Sequence, residues 1–417
     1  MHIQRHPMAG SERIDLIAIT EKLNRSPIFH MSLGSKELFH SNFIAWLLMA
    51  YPDAVNCFDI DVTKPFSVIR EQHHIDLALK CECEPPFCII ENKFKDIPRR
   101  EQLERYADKS PAHSRVLLTL VPASFDVTQI GWQQVLYADF ADRLNGWLNQ
   151  NQNVSFRDRE FVASYCEMTS AIAAIADAVL VAPSQARDKI YWFGLTNEWR
   201  SCLDEIRFLD TISKHTADEM QLDLEHSLRL GLPDLVVNPD EKQEKDLQRS
   251  GVIFCKTWSA LFNKQPCVTV ELHRWIASNQ FNLTIQIQGN QYRRLIDCDY
   301  FRIPRSQSAV RKNFDARGII EASDDYRWLF DPDIYNGTVN ITTWSHIASS
   351  KFRTSMRKPF GTYAPKAIYQ YITISDTPGG DALNANKVTA SVIADVRFGL
   401  ELLNDEQYVQ SFANLKQ

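Results

Sequence analysis

The sequence predicts an α/β chain in three stretches: an N-terminal mixed sheet flanked by helices (1–185), a helical connector (186–230), and an α+β region with an antiparallel sheet (231–417). Two short apolar runs at 75–79 and 87–93 flank a polar turn carrying Pro85 and Pro86, and read as a buried hairpin. Helical periodicity brackets that hairpin on both sides. Beyond Gly231 the texture changes to alternating strand patterns, which indicate an antiparallel sheet with one wet face. A chain of 417 residues, 44% hydrophobic and 24% charged, is too long for one small domain and has the composition of an ordinary soluble globular protein.

The elements follow in order. The first thirty residues are expected to pack as a helix or stay mobile, with the compact α/β region starting near residue 30. A helix over 35–48 places Glu37, His40, Ser41, Ile44 and Leu48 on one inward stripe at about 100° per residue, with Asn42 across the helix. After the hairpin, Pro98 at a first helical position opens a helix in which Gln102 and Tyr106 share a face. Strands follow at 116–121 and 134–137, then helices at 138–148 and 161–181. The latter carries Tyr165, Met168, Ile172 and Ile175 as its stripe. Pro183 and Ser184 introduce a long helical stretch from 185 to about 220, rich in Tyr191, Trp192, Phe193 and Trp199. Strand patterns then fall at 252–255, 268–272, 281–287, 339–342 and 368–374, and an amphipathic helix at 388–403. The sequence contains no internal repeat, no low-complexity tract and no P-loop.

The chemistry concentrates in the hairpin. Alternation along a strand turns Glu91 and Lys93 to one face and Asn92 to the other, and the hairpin brings Asp76 near Glu91. Two carboxylates at a sheet edge form a hard oxygen site suited to Mg²⁺ or Mn²⁺, and the neighbouring ammonium can neutralise or deprotonate what binds there. This favours metal-assisted phosphodiester hydrolysis. On spacing alone, an ion pair at a strand end accounts for the same residues. Glu37, in the first turn of its helix, is placed either to reach such a site or to serve as a partner for the helix dipole. His40 reads as a buried histidine with its hydrogen bonds met.

Asp76 followed by Glu91-Asn92-Lys93 resembles the D…(D/E)-x-K signature of the PD-(D/E)XK nuclease superfamily. The segment Glu37-Leu38-Phe39-His40-Ser41-Asn42-Phe43 is similar to a helix of one bacterial branch, and Gln102…Tyr106 is similar to the Q-x-x-x-Y helix of its exonuclease-like members. The resemblance covers roughly residues 33–180 and implies a restriction-endonuclease-like fold. It implies Asp76 and Glu91 as metal ligands, helped by the Asn92 backbone and by Glu37 directly or through water. Lys93 would position or activate the attacking water, and Gln102 and Tyr106 would orient the lysine or a phosphate. The implied activity is a Mg²⁺- or Mn²⁺-dependent DNA endonuclease in bacterial defence or DNA processing, with RNA as the alternative substrate. The other reading is a non-catalytic nucleic-acid-binding or regulatory partner on the same fold. Family habit adds a separate ATPase or sensor chain as partner, and leaves self-association into a homo-oligomer open.

The net charge of −6 supplies no global attraction for nucleic acid, so local basic patches must carry it. One comprises Lys93, Lys95, Arg99, Arg100 and Arg105. Others comprise Arg302, Arg305, Arg311, Lys312 and Arg317, then Lys351, Arg353, Arg357, Lys358 and Lys366 among Phe352, Phe360 and Tyr363. Solvated loops account for the two C-terminal patches equally well. No uninterrupted apolar run is long enough for a membrane span and Met1-His2-Ile3-Gln4-Arg5 lacks a secretory core, so a cytoplasmic location is expected, with no membrane partner. The nine cysteines are odd in number and scattered, as reduced thiols are. Cys81, Cys83 and Cys88 cluster in the hairpin without a fourth thiol to hold an iron–sulfur cluster.

Overall fold

The computed structural model describes residues 15–33, 36–62, 64–72, 74–82, 84–181, 191–262, 265–276, 279–289, 291–298, 328, 361–363, 367–373 and 385–413. The two C-terminal basic patches, Lys351, Arg353, Arg357 and Lys358 among them, lie outside the described residues, as do Cys83, Pro183, Ser184 and the strand expected at 339–342. The chain is mixed α/β with two mixed sheets, and divides into two units. Unit 1 comprises Met1–Ser184 and Thr196–Ile212; unit 2 comprises Gln185–Leu195 and Ser213–Gln417.

In unit 1, α1 (Leu16–Asn24), α2 (Pro27–Ser32) and α3 (Lys36–Ala50) precede the sheet. In α3, His40, Ser41, Ile44 and Leu48 are buried as the expected stripe predicts and Glu37 is partly buried, but Phe43, Ala45 and Leu47 are buried too, so the helix is covered on more than one face. The sheet has the order β1-β2-β3-β4-β5, with β1 (Ser67–Gln72), β2 (Ile75–Lys80), β3 (Cys88–Lys93), β4 (Ser114–Thr119) and β5 (Gln133–Leu136). Pairing is antiparallel from β1 to β3 and parallel from β3 to β5. Strand β1 escapes the sequence reading because its six residues, SVIREQ, hold only two adjacent apolar positions, as an edge strand with one partner allows.

Between β3 and β4 runs α4 (Arg100–Lys109), the crossover that parallel pairing requires. Its N-cap is Arg99, so Pro98 precedes the cap rather than opening the helix as expected. On the α4 side of the sheet, Ala78, Ile89 and Leu117 pack with Leu103, Tyr106 and Trp132. The opposite side of β3 meets α3 and the first turn of α5 (Tyr137–Gln150). Burial on both faces explains why β3 is continuously apolar until its charged end. Ile89→Ala, at a site with no exposure, is expected to cost about 2–5 kcal/mol in urea unfolding, because the two packed layers leave no room to collapse into the gap.

Helix α6 (Phe156–Ala176) packs against α5 and stacks Tyr165 on Phe43 of α3. With its continuation, Phe156–Leu180 is the one stretch among the described residues long and apolar enough to cross a bilayer, and 56% of its apolar window is buried inside the protein, as in a core helix. The stretch expected as one helix from 185 to 220 is broken. A 3₁₀ turn at Trp192–Gly194 precedes α7 (Asn197–Glu205), which starts on the Thr196 cap. Arg207, at φ 51°, then separates α7 from α8 (Leu209–Gly231). A left-handed residue cannot continue a right-handed helix, which is the physical reason for the break.

Unit 2 holds a seven-stranded sheet of order β11-β12-β10-β9-β8-β7-β6. Its strands are β6 (Val236–Val237), β7 (Phe254–Phe262), β8 (Gln265–Ile276), β9 (Asn279–Gln288), β10 (Gln291–Cys298), β11 (Gly361–Tyr363) and β12 (Ala367–Thr373). All neighbours are antiparallel except β6 with β7. Phe281, Leu283, Ile285 and Ile287 form a dry face with residues of α8 and of α10 (Ala385–Asn404), where α11 (Glu406–Ala413) adds Tyr408 and Val409. The charged α9 (Glu241–Ser250) was not expected from hydrophobic periodicity; it buries no residue and is held by an Asp240–Gln243 capping box.

The expected wet face is corrected. Asn282, Thr284, Gln286 and Gln288 alternate with the apolar residues of β9 as predicted, yet they too are buried. Neighbouring strands satisfy the two glutamines: Gln286 donates to Thr269 Oγ1 at 3.4 Å, and Arg293 donates to Gln286 Oε1 at 3.1 Å and to Gln288. Arg293 also explains why β10 escapes detection, since Arg293 and Arg294 interrupt its apolar pattern.

Candidate active site

The β2–β3 ladder runs through Leu77↔Ile90, and extending that register sets Asp76 opposite Glu91 on one face. There a carboxylate replaces a strand carbonyl: Asp76 Oδ2 accepts the Asn92 main-chain N–H at 2.7 Å. Glu91 and Lys93 project together as alternation requires, with Lys93 Nζ 2.9 Å from Glu91 Oε1. Gln102 reaches from α4, donating to Tyr106 Oη at 2.9 Å and, more weakly, to Glu91 Oε1 at 3.4 Å. The glutamine–tyrosine pair predicted from i,i+4 spacing is therefore a hydrogen-bonded unit beside the carboxylate.

Glu37 approaches from α3. Its Oε1 accepts the Asp96 main-chain N–H at 3.2 Å, just past the end of β3, so the carboxylate braces the loop that leaves the site. Lys93 feels the charges of Glu91, Glu37 and Asp76 together. Three carboxylates against one ammonium leave two negative charges when all are ionised. The second oxygen of Glu91, Oε2, is buried and has no hydrogen-bond partner among the described residues.

The electrostatics follow from this imbalance in a site shielded from water. Burial, followed by repulsion from Asp76, pushes the Glu91 carboxyl up to about 7 against the pull of Lys93. Burial likewise raises Asp76, and burial followed by Asp96 raises Glu37. For Lys93, burial acts to lower its pKa, but the attraction of Glu91, Glu37 and Asp76 outweighs it and the net displacement is upward. The lysine is thus held as a cation.

Asp76 and Glu91 fit a hard divalent cation: both are carboxylates on one face, and Glu91 offers an oxygen with no hydrogen-bond partner among the described residues. Among the described residues, no three His, Cys, Asp or Glu side chains form a group that could hold a metal by themselves. Mg²⁺ is accommodated by such a sparse set, because it retains waters and takes one or two carboxylates together with substrate phosphate.

The remaining predicted residues sit as follows. His40 lies behind the site, its Nδ1 2.8 Å from Tyr165 Oη and its ring stacked on Phe94 at 3.8 Å. Lys95 Nζ donates to Arg207 O at 2.9 Å and pairs with Asp210 at 3.3 Å. Arg100 donates to Gln129 at 3.2 Å and lies over Phe125, while Arg99 is exposed at the α4 cap. Phosphate binding by Lys95 or Arg100 would compete with these contacts. Cys88 is buried, its thiol pushed up to about 12 by burial, and so is unsuited to ligation or redox chemistry.

Sequence reasoning missed Tyr137, which was assigned to the end of a strand. It is the first residue of α5, fully buried, and its hydroxyl donates to Asn92 Oδ1. The only signal was its position directly after β5. Comparison with models of protein families, with curated proteins and with solved structures returns no match.

Proposed function

We propose that unit 1 is a divalent-metal-dependent nuclease of the PD-(D/E)XK type, with a restriction-endonuclease-like fold, acting on DNA. The observation that carries this reading is the orphaned, buried Glu91 Oε2, without a hydrogen-bond partner among the described residues, in a site where three carboxylates meet one cationic lysine. A partnerless buried carboxylate oxygen is costly, and a dication removes that cost. Asp76 and Glu91 would hold the ion, with the Asn92 main chain between them. Bound there, Mg²⁺ or Mn²⁺ supplies acidification of a water and neutralisation of charge on phosphoryl oxygens.

This chain's own residues do the rest. Lys93, kept protonated, donates to a phosphoryl oxygen or orients the attacking water, exchanging part of its bond to Glu91 for the substrate. Gln102 restrains Glu91 Oε1 and is itself restrained by Tyr106. Glu37 keeps the loop at Asp96 in place so that Lys93 is presented at a constant height.

The test is plasmid DNA and single-stranded RNA incubated with Mg²⁺ or Mn²⁺. Nicking or linearisation of DNA that is stopped by EDTA and restored by manganese is the expected result. Cleavage of RNA alone would reassign the substrate, and cleavage indifferent to EDTA would sink the reading.

The closed Lys93–Glu91 ion pair, and the lack of a three-ligand group among the described residues, favour a second reading, a binding module on the same fold without turnover. Calorimetric titration with Mn²⁺ separates the two. The nuclease reading expects saturable binding that Asp76→Ala weakens, whereas the module expects none, or binding that ignores the substitution.

A further inference from the structure

We propose that Asn92 is a positioning residue whose buried side chain, clamped between α3 and α5, fixes the main chain that holds Asp76 and presents Glu91 and Lys93. The kinetic part of this inference rests on the nuclease reading; its structural part does not.

The geometry is that of a hub. Asn92 has no exposure, and strand alternation aims its side chain away from the face that carries Glu91 and Lys93. Its amide has two N–H donors and one carbonyl, and all are engaged. Nδ2 donates to Glu37 O at 2.9 Å and to Ser41 Oγ at 3.1 Å on α3, while Oδ1 accepts from Tyr137 Oη at the start of α5. Ser41 Oγ in turn donates to Glu37 O at 3.0 Å, so the carbonyl of the residue that braces the Asp96 loop takes part in the same network. The Asn92 main-chain N–H then holds Asp76 Oδ2 at 2.7 Å. One residue therefore ties β3 to two helices on one face and to the first carboxylate of the site on the other.

A leucine-sized apolar side chain would fill the same space without any polar group to satisfy. Burying an amide here instead sets orientation, because hydrogen bonds to two separate helices allow Asn92 little rotation or slide along the strand. Displacements of about 1 Å in reacting groups cost up to roughly a hundredfold in rate, so a main-chain anchor peptide-bonded to both Glu91 and Lys93 has leverage on turnover. The hydrogen bond that the Tyr137 hydroxyl donates goes to Asn92 Oδ1, so removing that hydroxyl loosens the clamp while the ring keeps its packing on Phe94 and His40.

The experiment uses the full chain with Tyr137→Phe, Asn92→Ala and the double variant. Exchange of the Asn92 amide proton, read by NMR, needs no turnover. In Tyr137→Phe it is expected to quicken about tenfold, because one clamp bond is lost and the hold on the Asp76 bond loosens. In cleavage assays kcat is expected to fall about tenfold for Tyr137→Phe and about a hundredfold for Asn92→Ala, with KM held within about twofold. The double variant should be no slower than Asn92→Ala, since the tyrosine works through the asparagine. Unchanged exchange in Tyr137→Phe, or losses in kcat that multiply in the double variant, would overturn the proposal. A wild type that cleaves nothing while exchange still responds would remove the nuclease reading and leave the anchor standing. Should Asn92→Ala not fold, Tyr137→Phe keeps every other bond of the clamp and carries the test by exchange and by the kcat–KM split.

Discussion

On the proposed nuclease reading, Asp76→Ala, Glu91→Gln and Lys93→Ala are each expected to lower metal-dependent DNA cleavage about a thousandfold or more, because each would remove a group that holds the metal or meets the charge developing at phosphorus. Their effects on metal binding should diverge. Asp76→Ala and Glu91→Gln each remove a carboxylate that the proposal makes a ligand, together with its negative charge when ionised, so Mn²⁺ affinity is expected to fall. Lys93→Ala removes the cation that opposes the metal, so affinity is retained or increased. Calorimetry and plasmid nicking on the same samples check both halves. Parallel loss of affinity in all three variants would mean that Lys93 supports the fold of the site rather than its chemistry.

Glu91→Gln carries a further consequence for stability. The folded-state value of Glu91 is raised from 4.5 to about 7, so the folded protein favours the protonated acid. The associated stability is complete below about 4.5 and is lost as pH rises through about 7. At pH 8 the metal-free wild type bears the whole penalty, whereas glutamine stays neutral at every pH. Thermal unfolding without metal should therefore show Glu91→Gln more stable than wild type at pH 8, by on the order of 1–3 kcal/mol, and close to it at pH 4. Added Mn²⁺ should stabilise the wild type and leave the variant unmoved. A variant less stable than wild type at pH 8 would show that the ion pair with Lys93 outweighs the burial of the carboxylate.

The second large effect lies in unit 2. Asp395 of α10 accepts from Arg294 Nη2 at 2.6 Å and Nε at 3.1 Å, and from Tyr292 Oη at 2.8 Å. The side chains of Arg294 and Asp395 are only 11% and 7% exposed, so the pair forms inside the apolar core rather than in water. Asp395→Ala removes the carboxylate from a buried guanidinium and a buried phenol at once, leaving Arg294 its bond to Trp328 O at 3.2 Å, and is expected to cost about 3–5 kcal/mol in urea unfolding. Arg294→Met combined with Asp395→Leu should recover most of the loss, since the cost of a half-broken pair exceeds the net worth of the whole. A mild effect of Asp395→Ala alone would mean that water reaches Arg294.

Much of unit 1 was legible because its signals are local. The hairpin follows from two apolar runs around Pro85 and Pro86, and the shared face of Glu91 and Lys93 follows from the two-residue strand repeat. Gln102 and Tyr106 meet because they are four apart on a helix. Where an element's pattern was set by its neighbours, the reading failed. Strand β1 is an edge with little to bury, β10 carries Arg293 and Arg294 inside the sheet, and the polar residues of β9 are covered although their alternation suggests water. The break at Arg207 is a single left-handed residue within an otherwise helical stretch.

By itself the sequence determined which residues carry charge and which faces they share, since both depend on repeats a few residues long. Tertiary structure alone decided that three carboxylates meet one lysine in a largely buried site, that Glu91 keeps an oxygen without a partner among the described residues, and that Tyr137, far along the chain, reaches Asn92. Desolvation and long-range hydrogen bonds arise only when distant segments are packed together, so no local pattern encodes them.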